Sequence, residues 1–153
     1  MKKLIFFCFT LAIFLSCSRM NSASGTNSNY MKIDTITFNS IYSTYKESAL
    51  MHRRFKHQDV DSLLSVHKGI GHLHVSPIGK SFEGRSIYEV TYGDGDKKVM
   101  LWSQMHGDEP TATMALFDLF NFLSEEGGEC GEIRKLLKEN LEIHFIPMLN
   151  PDG

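Results

Sequence analysis

Cysteine is scarce in this chain. Only Cys8, Cys17 and Cys130 occur, and the first two fall in or at the end of an N-terminal stretch that reads as a processed leader. One cysteine in the folded part cannot build a disulfide framework, so packing has to hold the domain together. Cys130 itself sits in EEGGECGE, a surface-like connection with no neighbour to activate a thiolate, and reads as an unpaired thiol rather than a nucleophile. Surplus positive charge is also missing: 16 Lys and Arg against 18 Asp and Glu leave a formal charge of −2, and removal of Lys2 and Lys3 with the leader makes it more negative. An acidic balance excludes a binder of the nucleic-acid backbone. The chain has no nucleotide loop either, because Gly79-Lys80-Ser81 lacks the upstream glycine at the required distance. The apolar run LIFFCFTLAIFL at 4–15 is too short for a permanent spanning helix and has the length of a secretory signal.

What is present at the N-terminus is the pattern of an exported protein. Lys2 and Lys3 precede the apolar run, and Phe14-Leu15-Ser16-Cys17 resembles a bacterial lipoprotein processing site in which Cys17 becomes the lipid-bearing first residue. Phe14 stands where such signals usually carry Leu, which leaves cleavage near Ser16 or Ser18 without lipid as the alternative. The expectation is a signal peptide over 1–16 and a polar tether rich in Ser, Asn and Gly over 17–32. Such a product belongs to the bacterial cell envelope, periplasmic or surface-facing, with membrane contact through a lipid anchor. At 153 residues and 42% hydrophobic content, the remainder, 33–153, is expected to form one domain.

Along that domain the pattern changes period several times. Residues 33–45 read as an extended lead-in and a short helix from Ser40. The basic cluster at 52–57 reads as a solvated face, and 59–67 as a helix with Val60, Leu63, Leu64 and Val66 on its apolar side. Leu73 and Val75 alternate with His72 and His74 in a strand that keeps the two histidines in solvent. Glycines 79 and 84 then turn the chain into a second, antiparallel strand over 87–92. The short apolar run Val99-Met100-Leu101-Trp102 reads as a buried strand, followed by helices over 111–123 and 132–140 and a final strand over 141–149. In that last strand His144 faces away from Leu141, Ile143 and Phe145. The fold class is α/β, with the crossover through two helices placing the third and fourth strands in one sheet.

Chemistry is concentrated where the third strand meets the helix after it. The polar group Met105-His106-Gly107-Asp108-Glu109 is squeezed into that junction, at the carboxyl end of a strand where the crevice of an α/β sheet lies. His106 offers an imidazole nitrogen and Glu109 a carboxylate oxygen, ligand types that suit zinc. Gly107 lets the backbone turn tightly, and Pro110 suits the first turn of a helix. The same residues also fit a plain structural reading, in which Glu109 favours the helix N-terminus and His106 is a hydrogen-bonded loop residue.

Four segments in this order resemble the zinc carboxypeptidase family of carboxypeptidase A type. They are GKSFEGR at 79–85 followed by Ile87, the strand into His106-Gly107-Asp108-Glu109-Pro110, the helix after it, and the strand ending in Asn150-Pro151-Asp152-Gly153. The resemblance covers roughly residues 70–153. It implies a three-layer α/β/α domain with a mixed β-sheet, Zn2+ as cofactor, and His106 and Glu109 as the first two zinc ligands. Arg85 and Asn150 become candidates for site support. The implied activity is zinc-dependent hydrolysis of C-terminal peptide or related amide bonds, with a peptide or peptide-like substrate. The family's third ligand, general-base glutamate, oxyanion arginine and terminal-carboxylate clamp have no counterpart before Gly153. The chain is therefore expected to be a truncated, inactive part of such an enzyme, or alternatively a non-catalytic exported peptide-binding module of the same fold; a purely structural lipoprotein is the third reading. The final strand is expected to find some of its neighbours beyond residue 153 and to leave an apolar face or edge bare. Asp108 stands where better-known digestive members carry Arg, which weakens any transfer of their substrate preference.

Overall fold

The computed structural model describes residues 35–153. The signal segment, Cys17 and the whole of the tether over 17–32 lie outside the described residues. The elements run in the order α1 (Thr35–Tyr45), a single 3₁₀ turn (Ser48–Leu50), α2 (His57–His67), β1 (Leu73–Lys80), β2 (Ser86–Tyr92), β3 (Lys97–Trp102), α3 (Thr111–Ser124), α4 (Gly131–Asn140) and β4 (Leu141–Ile146). The four strands form one mixed sheet in the order β1-β2-β4-β3. β1 and β2 make an antiparallel hairpin, β2 and β4 pair antiparallel, and β4 returns from the helical crossover parallel to β3.

Alternation along the strands decides where the core lies. Leu73 pairs with Tyr92, Val90 with Phe145 and Tyr92 with Ile143, so these five side chains share one face, and all are buried. The apolar sides of α2 (Val60, Leu64) and α3 (Leu116, Phe117, Phe120, Leu123) close over them. Aromatic edges lock the contact: Phe120 meets Phe117 at 5.3 Å and Phe145 at 5.2 Å between ring centroids, both edge to face, the arrangement the ring quadrupole prefers. The Tyr92 hydroxyl donates to the Arg134 carbonyl at 2.9 Å, tying α4 to the same face. The mixed sheet flanked by helices is the α/β arrangement that the resemblance implies. Within the described residues the helices share this one core, and the opposite face carries Glu89, Thr91, Met100, Trp102, Glu142 and His144 by the same register.

Four expectations need correction. The apolar run of β3 is not buried: Met100, Leu101 and Trp102 are 56%, 39% and 51% exposed. A continuous apolar run usually signals a covered strand, but β3 is the sheet's edge with only β4 beside it. β4 is indeed interior, yet both of its neighbours, β2 and β3, belong to this chain, so the bare edge is one strand further out than expected. Cys130 is buried, at 4% exposure. Its carbonyl accepts from the backbone N–H groups of Ile133 and Arg134, and Arg134 is drawn inward with its guanidinium 5.0 Å from the Phe122 ring, which pulls the first turn of α4 under the preceding loop. Helix also begins earlier than the sequence pattern suggests, at Thr35 rather than Ser40.

An unpaired strand edge bearing large apolar side chains is a template for association. Met100→Lys and Trp102→Lys are expected to lower self-association of the 153-residue chain while leaving its unfolding free energy within the roughly 0.5 kcal/mol typical of surface changes. Sedimentation velocity with urea unfolding checks this; unchanged association in both variants contradicts the assignment of β3 as the sticky edge.

Candidate functional site

Beyond Trp102 the β3–β4 ladder continues as single backbone bonds into two turns. The Ser103 N–H donates to the Ile146 carbonyl at 3.0 Å, Leu149 donates back to Ser103 at 3.0 Å, and Asn150 donates to the Gln104 carbonyl at 2.9 Å. Ser103, Gln104 and Thr113 are all buried polar residues, and they satisfy one another. Ser103 Oγ lies 2.6 Å from the Pro147 carbonyl, Thr113 Oγ1 lies 2.7 Å from Gln104 Oε1, and the two hydroxyls are 2.9 Å apart. Two hydroxyl protons serve both acceptors when Ser103 donates to Pro147 and Thr113 to Gln104. Gln104 then spends its own amide N–H on the Gly107 carbonyl at 2.7 Å. Its backbone sits at φ 45°, and it is the one non-glycine residue at positive φ among the described residues, a conformation costing on the order of 1 kcal/mol.

The loop held by these bonds carries His106 and Glu109. The Glu109 N–H donates to the His106 carbonyl at 3.1 Å, closing one tight turn that sets both side chains on the same side. His106 Nδ1 and Glu109 Oε2 are 3.2 Å apart, with side-chain exposures of 67% and 70%. For bonds of 2.0–2.1 Å, two ligand atoms of a tetrahedral zinc stand about 3.3 Å apart, so the separation suits two donors on one ion. It equally suits a direct histidine–carboxylate contact. Among the described residues no group of three or more His, Cys, Asp or Glu side chains converges as a metal cage, so the residues present fit two positions of a zinc site and not a complete one.

The Asn150–Gly153 turn lies against this loop with nothing between the two backbones. A Cβ placed on Gly107 would fall 2.2 Å from the Gly153 carbonyl carbon and 2.4 Å from its Cα, closer than atoms can approach. Asp152 anchors the turn to the hairpin: it accepts from Ser81 Oγ at 2.7 Å, the Glu83 N–H at 2.9 Å and Arg85 at 2.5 Å. Desolvation pushes the Asp152 carboxyl up, but those hydrogen bonds from Glu83, Ser81 and Arg85 outweigh it and hold it below its ordinary value. Arg85 also pairs with Glu83 at 2.6 Å, so it braces the turn. Asn150 enters through its backbone bond to Gln104. A groove of about 540 Å³ runs past Arg85, Gln104 and Gly153, and His106 and Glu109 are not part of its lining.

His144 stands apart from the loop, on the sheet face opposite the core. Its Nδ1 contacts Glu89 at 2.9 Å and its Nε2 contacts Glu142 at 2.8 Å, while Lys98 pairs with Glu142 at 3.0 Å. Hydrogen bonding to Glu89 and then Glu142 raises the imidazole above its ordinary value. Both ring nitrogens donate only in the protonated ring. Gln104 and Thr113 were not singled out by sequence patterns, and Asp152 entered only as part of the Asn150–Gly153 turn. The only cue was a pair of polar residues, Ser103-Gln104, directly after an apolar strand.

Gly107→Ala is expected to force the two turns apart and lower stability by about 1–3 kcal/mol, the range for overpacking; an unchanged denaturation midpoint contradicts the contact. For His144 the folded value is raised, so its contribution is complete below the unfolded value of about 6.5 and is lost as pH climbs through the folded one. The wild type should therefore lose stability relative to His144→Gln as pH rises above that value, measured by urea unfolding across pH, and parallel pH curves would argue against the double bridge.

Residues 63–153, more than half of the chain, match the family described as zinc carboxypeptidase. Mouse carboxypeptidase M is 30% identical over 112 residues, covering 65% of this chain and 25% of the relative. Human carboxypeptidase D is 28% identical over 142 residues, covering 87% and 9%. Among solved structures, a putative carboxypeptidase from Burkholderia mallei superposes with a TM-score of 0.58 at 24% identity, over 65% of this chain and 26% of that one. Carboxypeptidase A from Helicoverpa armigera gives 0.51 at 23% identity, over 75% and 31%. These structures share the fold, and the chain spans about a third or less of the length of each of these proteins. With the family match extending through the hairpin, the histidine–glutamate loop and the final turn, the chain belongs to the zinc carboxypeptidase family.

Proposed function

We propose that His106 and Glu109 supply two protein ligands to a zinc ion in a peptidase that removes C-terminal residues from peptides or related amides. The observation that carries this reading is the 3.2 Å approach of an imidazole nitrogen and a carboxylate oxygen at the carboxyl end of β3, in a chain of this family. Zinc bound there would polarise a scissile carbonyl and lower the pKa of a bound water. The chain's own part is to present the pair: β3 delivers the loop, the Gly107–Gly153 contact fixes its height, and Arg85 with Asp152 keeps the facing turn in place. Asp108 is exposed between the two ligands, and its charge disfavours a substrate carboxylate at that point. The third ligand and the general base lie outside the described residues on this reading. Two donors leave most of the coordination shell to water, so residues 35–153 by themselves hold zinc weakly and do not turn over peptide.

In the protein extended to the length of its relatives, His106→Ala is expected to weaken zinc binding by more than roughly 100-fold, beyond the usual effect of losing a supporting hydrogen bond. Glu109→Gln should weaken it too, and turnover of a peptide with a free C-terminus should fall with both. His144→Ala should retain its metal. Metal analysis of dialysed protein decides the matter: full zinc in His106→Ala, or loss confined to His144→Ala, sinks the assignment.

A further inference from the structure

We infer that Gln104 is the positioning residue of the His106–Glu109 pair, setting the angle at which the loop presents its donors; this rests on the zinc reading above. Gln104 is 5% exposed and reaches neither donor. Every polar group of the residue that the loop geometry needs is engaged. Its backbone carbonyl receives the Asn150 N–H at 2.9 Å, its side-chain oxygen receives the Thr113 hydroxyl at 2.7 Å, and its side-chain N–H reaches the Gly107 carbonyl at 2.7 Å. These three bonds join the final turn, helix α3 and the middle of the ligand loop at one residue. The Gly107 carbonyl lies in the peptide plane joining Gly107 to Asp108, inside the segment that links His106 to Glu109, so holding it fixes the path of the backbone between the two donors.

The backbone conformation supports the same role. At φ 45° a glycine or asparagine fits with less strain than glutamine. Packing alone would therefore favour a smaller residue here, since the chain already uses glycine where backbones touch, at Gly107 and Gly153. What glutamine adds is reach: one amide spans from the α3 hydroxyl to the loop carbonyl. Strain kept at a buried residue whose side chain holds a functional loop is the pattern of preorganisation.

The test uses the extended protein and zinc itself, with the dissociation constant measured by chelator competition and the site geometry by the visible spectrum of the cobalt(II)-loaded form. Gln104→Gly relieves the backbone and deletes the span. It is expected to weaken zinc binding about 10–100-fold, the usual effect of losing a group that orients a ligand, and to change the cobalt spectrum. The metal-free melting temperature is expected to fall too, because two buried hydrogen bonds are lost, so the zinc affinity and cobalt spectrum of the folded variant carry the decision. Gln104→Asn, which tolerates the backbone but is too short to reach both partners, should behave likewise and carries the comparison if the glycine variant does not fold. Wild-type zinc affinity and spectrum in the folded variants overturn the inference, as does a lowered melting temperature with affinity intact, which marks a purely structural residue. His106→Ala run alongside separates the two failures: wild-type zinc affinity there removes the ligand reading itself and the inference with it.

Discussion

Two glycine backbones in direct contact set the geometry of everything at the carboxyl end of this sheet. Gly107 in the first turn and Gly153 in the second approach so closely that neither has room for a Cβ. Such an approach needs two surfaces held rigidly from behind, because backbone contacts carry little attraction of their own. The first surface is held by Gln104, Ser103 and Thr113, whose buried polar atoms are paired among themselves and with Pro147. The second is held by Asp152, which collects three donors from the β1–β2 hairpin. Each brace is charge-assisted or fully buried, where a broken bond leaves a desolvated group and costs about 1–3 kcal/mol.

Stability and chemistry are thereby kept in separate places. The core lies on one face of the sheet, around Phe117, Phe120, Phe145 and Tyr92, and none of the proposed ligands touches it. The opposite face carries the His144 bridge to Glu89 and Glu142 and turns apolar toward the ends of β3 and β4, where Trp102 pairs with Ile146 and Met100 and Trp102 are exposed. This division explains why the crossover helix α3 turns Leu116, Phe117, Phe120 and Leu123 into the core while His106, Asp108 and Glu109 in the loop before it stand exposed. The helix has to cover the sheet, and the loop has to stay wet.

Much of this was legible in the residues. The hairpin around Gly84, both crossover helices and the parallel return of the last strand follow from turn residues and hydrophobic period. The placement of His106 and Glu109 on one tight turn was legible too, because Gly107 and Pro110 bracket it. The burial of β3 was misread for a physical reason: period and composition report how apolar a strand is, not whether another element lies against it. Cys130 escaped for the opposite reason. Its sequence neighbours are glycines and glutamates, which carry no apolar signal, although the residue is buried beside the buried Arg134 at the start of α4. Gln104 and Thr113 gave almost no signal, since a buried polar pair separated by nine positions has no periodic signature. Such pairs become visible only when the topology brings the end of a strand beside the start of a helix.

The exposure of the proposed ligands then follows from what they have to do. A donor atom buried and paired in the metal-free protein must be unpaired before it can bind an ion, and that desolvated state is expensive. His106 and Glu109 avoid the cost by standing about two-thirds exposed, with a contact that water can replace. Exposure alone would let two flexible side chains wander, which raises the ordering cost of binding. The fold answers this in the backbone rather than in the side chains. A one-turn hydrogen bond from Glu109 to His106, the Gln104 amide on Gly107 and the glycine contact behind it restrict where the two Cα atoms can be, while leaving the donor atoms free to exchange water for an ion.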